Sequence, residues 1–359
     1  MIHHPAVLPP ATACRIDRDG AAQAFLTRTA SLRTGSPHTR RAYRADLGQY
    51  FDWLDAHGHS FTQVSHRAAS HYLDHLSGLG LQARSINRKV SAIRSFYRHM
   101  QALRVASINP FSMVKTPGVD AKSEVHKVLS HDEFEAVLRA LRTAVTRALA
   151  TLRTHPRSRQ ARRALFYGLR RRAMVVLFAT SGIRRWELLT LPEGAIERAD
   201  HGFRLVVIGK HDKQRAIPVP PQALPALHDW LSVRRRTPTS APHLFVGLGG
   251  APCSDETLKN LTRWLRARVT TRYPIHPYLL RRSFAMWHLE AHDDLHAVQV
   301  LLGQAVAKPP LATAATPLLH AAVASAPIAL SEKQHGPLLE RAAMPCAFLH
   351  RTHVTALHD

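Results

Sequence analysis

Between Ser36 and Gln101 the apolar residues return at three- and four-residue steps in three separate runs, which commits this stretch to packed helices. In the first run Ser36 caps a helix opened by Pro37. Tyr43, Leu47, Tyr50, Phe51 and Leu54 share one face, and Gly58 stops it. Ser65 starts the second run, with Tyr72, Leu73, Leu76 and Leu79 aligned. The third spans about Ala83 to Gln101 and buries Ile86, Val90, Ile93, Phe96, Tyr97 and Met100. Opposite that stripe lie Arg84, Arg88, Lys89, Arg94 and Arg98. The reading is a small helical bundle with a cationic face, on which Arg40, Arg44, Arg84, Arg88, Lys89 and Arg94 are the candidate contacts for an anionic partner.

That face belongs to a chain of 359 residues with 49 Lys+Arg against 25 Asp+Glu, a formal charge of +24. Such an excess disfavours cationic partners and favours a polyanion, because each cation that neutralises a phosphate releases a counterion. Nucleic acid is the first expectation and an anionic membrane face the second. With 45% apolar residues the chain can bury real cores, so wholesale disorder is excluded. Cys14, Cys253 and Cys346 are too scattered for a disulfide framework or a paired-ligand zinc site, which fits a reducing compartment. The longest apolar run, around Met174 to Phe178, is too short to cross a bilayer. The N-terminus lacks the basic start and apolar stretch of a secretion signal. The expectation is a cytoplasmic protein with no membrane association.

The order of segments suggests two folded parts. Residues 1–20 read as a Pro/Ala-rich disordered lead, 21–106 as the helical bundle, and 107–127, with Pro110, Pro117 and Gly118, as a linker. Ser130 with Glu133 forms a capping box before Phe134, Val137, Leu138 and Leu141, opening a second domain that runs to residue 304. No acid occurs between Glu135 and Glu187, a window rich in arginine. It is either a solvated insertion or a DNA-backbone surface. An apolar helix over Ala173 to Thr180 follows. The runs Phe203 to Ile208 and Arg215 to Val219 read as a hairpin with its charges at the tip. Helices are expected over about Pro221 to Arg235, Glu256 to Arg268, Tyr278 to Ala291 and Leu295 to Leu302. The fold class is therefore mainly α with a small β-sheet. After Gly303 the texture turns to Ala, Pro and Leu without period or caps. Residues 305–359 carry only +1, leaving +23 to the rest.

Arg184, Lys210 and Arg281 are the candidate chemistry. Two guanidiniums and an ammonium around one phosphate would hold its oxygens and stabilise a pentacoordinate transition state, with Lys210 able to protonate a leaving oxygen. Their local spelling resembles the tyrosine recombinase (phage integrase) family. SGIRRWELLTL is similar to that family's first arginine box, with Gly182, Arg184 and Glu187 matching. VIGKHDKQRAIPVP is similar to its β-hairpin, with Lys210 as the catalytic lysine. LLRRSFAMWHLEAHDDLHAVQVLLGQ is similar to the second box, with Arg281 as its arginine, followed by Ser283, Phe284, Ala285 and the Leu301-Leu302-Gly303 turn. TRRAYRADLGQYFDWL and INRKVSAIRSFYRHM resemble the family's core-binding domain. The likeness runs from about Ala21 to Gly303. It implies an N-terminal SAM-like bundle, an α-rich catalytic domain and double-stranded DNA as partner. It also implies self-association on DNA, and chemistry without metal or other cofactor in which a tyrosine attacks the phosphodiester.

The sequence departs from the family pattern at three positions. Where the family has His three residues before the second arginine, Tyr278 stands, with His276 two residues earlier. Where it has His or Trp after the glycine turn, Gln304 stands. A phenol with a reference pKa of about 10 is a poor proton shuttle near neutrality, and an amide is neither acid nor base. The nucleophile is expected about nine residues on, at Thr313, and no tyrosine follows Tyr278. Thr313 and Thr316 offer hydroxyls without an evident activating base. A reading-frame shift near Gln304 would account for both the lost tyrosine and the changed texture.

The expectation is a DNA-binding member of this family, defective in cleavage. Two alternatives stay open: a non-catalytic accessory that occupies recombination sites or mixes with an active recombinase, and the product of a damaged gene with an unstable second domain. Smaller signals have bland readings. His288, His292 and His296 read as exposed or capping rather than metal ligands, Gly247 to Gly250 as a plain turn, and Trp186 as core packing.

Overall fold

The structure is a computed structural model that describes residues 17–31, 37–118, 127–209 and 213–304. The chain divides into two compact units near residue 121.

The first unit is built from α1 (Arg18–Ser31), α2 (Pro37–Ala56), α3 (His66–Gly78) and α4 (Ala83–Ala102). Helix α1 begins inside the expected lead, and the cap residue Ser36 lies outside the described residues. Ser65 caps α3 by accepting from the Ala68 N–H at 3.2 Å. Leu79 falls just past the end of α3 and is exposed rather than buried. The apolar stripe of α4 is buried as its spacing predicts, against Leu47, Tyr50, Phe51 and Leu54 of α2. Tyr50 and Tyr97 meet hydroxyl to hydroxyl at 2.9 Å inside this core, which satisfies two otherwise buried polar groups.

The expected linker is not all linker. Phe111 and Val114 are buried in the first unit's core. Arg94 Nε donates to the Phe111 carbonyl at 2.8 Å and its Nη2 donates to that of Val114. Asn87 reaches the Pro117 carbonyl at 3.1 Å. Chain lacking helical periodicity is held here by side chains of α4, which supply the donors its own backbone pattern leaves unmatched.

The second unit opens with α5 (His131–Thr154) behind the Ser130–Glu133 capping box, in which each residue's side chain accepts from the other's N–H. Helix α6 (Arg159–Ser181) returns beside it. The arginine-rich window is thus two long helices of the domain itself, not an appended insertion. From Ala173 to Ser181 every residue of α6 is buried, so α6 is the central helix, packed against α5 and against several later elements, among them the strand over Gln214–Val219 and the helices over Leu224–Arg234 and Pro277–His292. Next come α7 (Arg185–Thr190) and a three-stranded antiparallel sheet in sequential order. Its strands are β1 (Ile196–Ala199), which periodicity did not show, β2 (Gly202–Ile208) and β3 (Gln214–Val219). Helices α8 (Leu224–Arg234), α9 (Asp255–Arg266), α10 (Pro277–His292) and α11 (Leu295–Leu301) complete the unit. Residues 305–359 lie outside the described residues.

Candidate functional site

The C-terminus of α6, the start of α7, the β2–β3 hairpin and the end of α11 converge on one buried carboxylate. Gly182 ends α6 with φ +56°, and a Cβ there would come within 2.4 Å of the Phe284 ring. Only glycine satisfies both the left-handed turn and that close approach. The turn delivers Arg184 to the α7 N-cap, where Glu187, three residues on, accepts from the Arg184 backbone N–H at 2.7 Å and from its Nη1 at 2.8 Å.

Arg215 completes the arrangement. In β3 it lies on the same face as Ile217 and Val219, paired with Val207, so strand alternation aims its side chain inward. Its Nη1 and Nη2 each donate to Glu187 at 2.8 Å. Burial opposes charge on Glu187, but the hydrogen bonds from Arg215 and Arg184 outweigh it and hold the carboxyl below its ordinary range. Arg215 was not among the sequence candidates. The signal that would have found it is its place on the apolar side of the alternating Arg215-Ile217-Val219 series.

Arg281, on the buried side of α10, donates to the Gly182 carbonyl and, through Nη2, to the Leu302 carbonyl at 2.7 Å. Arg184 Nη2 donates to the Gly303 carbonyl at 2.8 Å, and Arg215 Nε to that of Leu301 at 3.1 Å. Three successive carbonyls ending α11 are thus each held by a different arginine, which places cations at a helix C-terminus where the dipole favours them. Burial, with the repulsion of Arg184, pushes Arg281 down to about 10, so it stays charged at neutral pH. The Arg184 side chain keeps 31% of its surface in solvent. A guanidinium so placed, beside a second one fixed by carbonyls, can receive an anion.

The structure therefore brings Arg184 and Arg281 together. Tyr278, in the first turn of α10, is 59% exposed, with Arg282 4.9 Å above its ring, and is near enough to act on the charge of Arg281. His276, the nearest imidazole in sequence, is engaged as the α10 cap, accepting from the Leu279 N–H at 3.1 Å. Gln304 follows the turn at Gly303 and is exposed. Lys210 and Thr313 lie outside the described residues. The neighbour of Lys210, Gly209, is placed so that a Cβ on it would stand 3.8 Å from Glu187 Oε1.

The expected DNA contacts of the first unit divide into two groups. Arg40, Arg44, Arg84 and Arg88 are exposed. Lys89 is not on the open face: it is 7% exposed and donates to Asp46 at 3.1 Å and to Gln49. Arg88 pairs with the same Asp46, and Arg94 is engaged with the carbonyls of Phe111 and Val114. A buried aspartate needs cations, and α4 supplies two of them. Trp186, expected in the core, is 41% exposed. His288 is buried rather than exposed, and no cluster of metal-ligating side chains occurs among the described residues.

The sequence itself matches two family models: the phage integrase N-terminal SAM-like domain at residues 22–102 and the phage integrase family at residues 127–306. The chain belongs to the phage integrase family. Its relatives are tyrosine recombinases, and the family function is DNA recombination. Tyrosine recombinase XerC of Chlorobaculum parvum is 32% identical over 298 residues, covering 78% of this chain and 85% of the relative. XerD of Chlorobaculum tepidum is 31% identical over 284 residues, covering 78% and 86%. Among solved structures, XerH site-specific recombinase in a post-cleavage complex with palindromic difH superposes with a TM-score of 0.60. The two are 16% identical, with 90% of this chain and 84% of that chain covered. The lambda integrase tetramer bound to a Holliday junction gives 0.56 at 17% identity, covering 80% and 74%. These two likenesses establish the integrase fold: a helical N-terminal unit, then a mainly α unit with a small antiparallel sheet.

Proposed function

We propose that this chain binds double-stranded DNA at recombination sites and holds a phosphodiester at the Arg184–Arg281 cluster without cutting it. The observation that carries this reading is a mismatch. The arginines that would grip the phosphate are assembled, Arg184 braced by Glu187 and Arg281 by the Leu302 carbonyl, while Thr313 stands at the expected nucleophile position and no tyrosine follows Tyr278. Arg184 and Arg281 would bind non-bridging oxygens, Lys210 would approach from the hairpin, and Tyr278 and Gln304 would each donate a hydrogen bond. Neither of the last two replaces an imidazole as proton shuttle, and the family's attacking tyrosine has no counterpart in the sequence after Tyr278. Exposed Arg40, Arg44, Arg84 and Arg88 would contact the DNA backbone from the first unit, in the cytoplasm where DNA is accessible.

The solved relatives include an integrase dimer and a tetramer on DNA. We carry this over as self-association on DNA or mixed assembly with an active recombinase, whose tyrosine would supply what this chain lacks. A pool of nicked suicide duplexes of randomised sequence tests the reading. Fluorescence anisotropy should show binding that weakens linearly in log salt, and denaturing gels should show no covalent protein–DNA adduct. An adduct would overturn the cleavage defect, and absence of any binding would overturn the DNA-holding role.

A further inference from the structure

A second group of arginines lies apart from the first, on the face of α6 that meets α9. Arg171 precedes the end of α6 at Ser181 by ten residues, about 15 Å along the helix axis. Its guanidinium carbon stands 4.9 Å from the centre of the Trp264 ring and 5.6 Å from that of Tyr167. Arg268 shares the same indole at 4.4 Å, and Arg170 shares the same phenol at 5.1 Å. Three cations are thus interleaved with two aromatic rings.

Cation–π contact offsets part of the cost of desolvating a guanidinium but leaves its charge uncompensated. Burial is the main influence on Arg171 and pushes it down to about 10. The charges of Arg170 and Arg268 act in the same direction, and Tyr167 acts the other way. Arg170, itself only 8% exposed, donates from Nη1 to the Val246 carbonyl at 2.8 Å, while its Nε is buried without a hydrogen-bond partner among the described residues. Arg268 is exposed at the rim, with Nη1 on the Trp264 carbonyl at 3.2 Å. A set of like charges, pre-oriented by rings and flanked by a buried donor, suits an anion with several acceptor oxygens.

We propose that Arg170, Arg171 and Arg268, stacked on Tyr167 and Trp264, form a second phosphate-binding site, separate from the Arg184–Arg281 cluster. The source of that phosphate is the DNA backbone, which rests on the DNA-binding reading above; free phosphate is the other source of the same chemistry. The rings fix the guanidinium planes, so little side-chain freedom is lost when a phosphate docks.

The test uses the full-length chain and the variants Arg171→Gln and Arg268→Gln. Circular dichroism and melting confirm that each folds, and the exposed Arg268→Gln keeps the test open should Arg171→Gln fail to fold. In anisotropy titrations of a random duplex across a salt series, each variant should lower affinity roughly three- to tenfold near physiological salt. Each should also reduce the log–log salt slope by about one. If wild type binds DNA and both variants keep its affinity and slope, the rings and arginines are packing alone and the proposal fails. If wild type does not bind DNA, the broader reading fails instead, and inorganic phosphate decides the site. A phosphate-dependent rise in wild-type melting temperature that is lost in Arg268→Gln supports a free-phosphate site. No rise overturns it.

Discussion

Arg215 clasps the buried Glu187 carboxylate through two parallel hydrogen bonds, Nη1 to Oε1 and Nη2 to Oε2, each 2.8 Å long. Arg184 adds two more bonds to the same carboxylate, and the two arginines then continue to the Leu301 and Gly303 carbonyls. A single acid therefore fastens the hairpin, the start of α7 and the end of α11 to one another. The positions of the guanidiniums that would face a phosphate depend on it.

Glu187→Gln keeps the shape and removes the charge, leaving two guanidiniums partly uncompensated. A loss of about 3–5 kcal/mol is expected in urea unfolding, as for a buried pair broken on one side. Because the folded carboxyl is depressed, its contribution is complete above the ordinary value of 4.5 and is lost as pH falls through the lower folded value. The stability difference between wild type and Glu187→Gln should therefore shrink only below about pH 4.5. A difference that is already shrinking between pH 7 and 5 would refute this.

Gly182→Ala tests the turn that delivers Arg184. The added methyl meets the Phe284 ring at 2.4 Å and the Leu302 side chain at 2.8 Å, on a backbone with φ +56°. Left-handed strain and overpacking each cost of order 1–3 kcal/mol, so a fall in melting temperature of several degrees is expected, with weaker DNA binding. A variant that melts with wild type would show that the turn has room to relax.

Periodicity located α2, α3, α4 and α8 to α11, because burial of a stripe is a local property of spacing, but it did not show α1, the first half of α6 or the short α7. The α4 stripe from Ile86 to Met100 is buried as its steps require. Spacing could not show where the charges go. Lys89 sits in sequence between Arg88 and Val90 and is drawn inward by Asp46, forty-three residues away, and Arg94 by carbonyls of a stretch that has no period. Glu187, Arg184 and Arg281 were legible through motif spelling. Arg215 was hidden in a strand too short for its alternation to stand out, and Trp186 was misplaced because α7 is too short to display a face.

Arg172 and Asp229 form a buried pair, Nη1 to Oδ2 at 2.8 Å, that joins α6 to α8. Burial lowers the Arg172 pKa and Asp229 offsets part of that shift, so removal of the acid takes away a charge that compensates a desolvated cation. Asp229→Ala is expected to cost about 3–5 kcal/mol in urea unfolding. The double variant Arg172→Met with Asp229→Leu should recover most of that loss. Equal instability of the single and double variants would mean that the pair adds net stability beyond charge balance.

His288 supplies a pH response of its own. It is buried on α10, 4.5 Å from the Phe284 ring and 5.5 Å from that of His292. Burial first, and the charge of His292 second, push it down to about 4 from an ordinary 6.5. The folded unit holds the imidazole neutral, while the unfolded chain takes up a proton below 6.5. The native state therefore has its full advantage above pH 6.5 and loses about 1.4 kcal/mol per pH unit on the way to 4, roughly 3 kcal/mol in all. His288→Gln, neutral throughout, should flatten the dependence of urea-unfolding free energy between pH 6.5 and 4. A wild-type-minus-variant difference that stays constant over that range would mean His288 is already protonated in the folded state, and the loss below pH 6.5 would then belong to other groups.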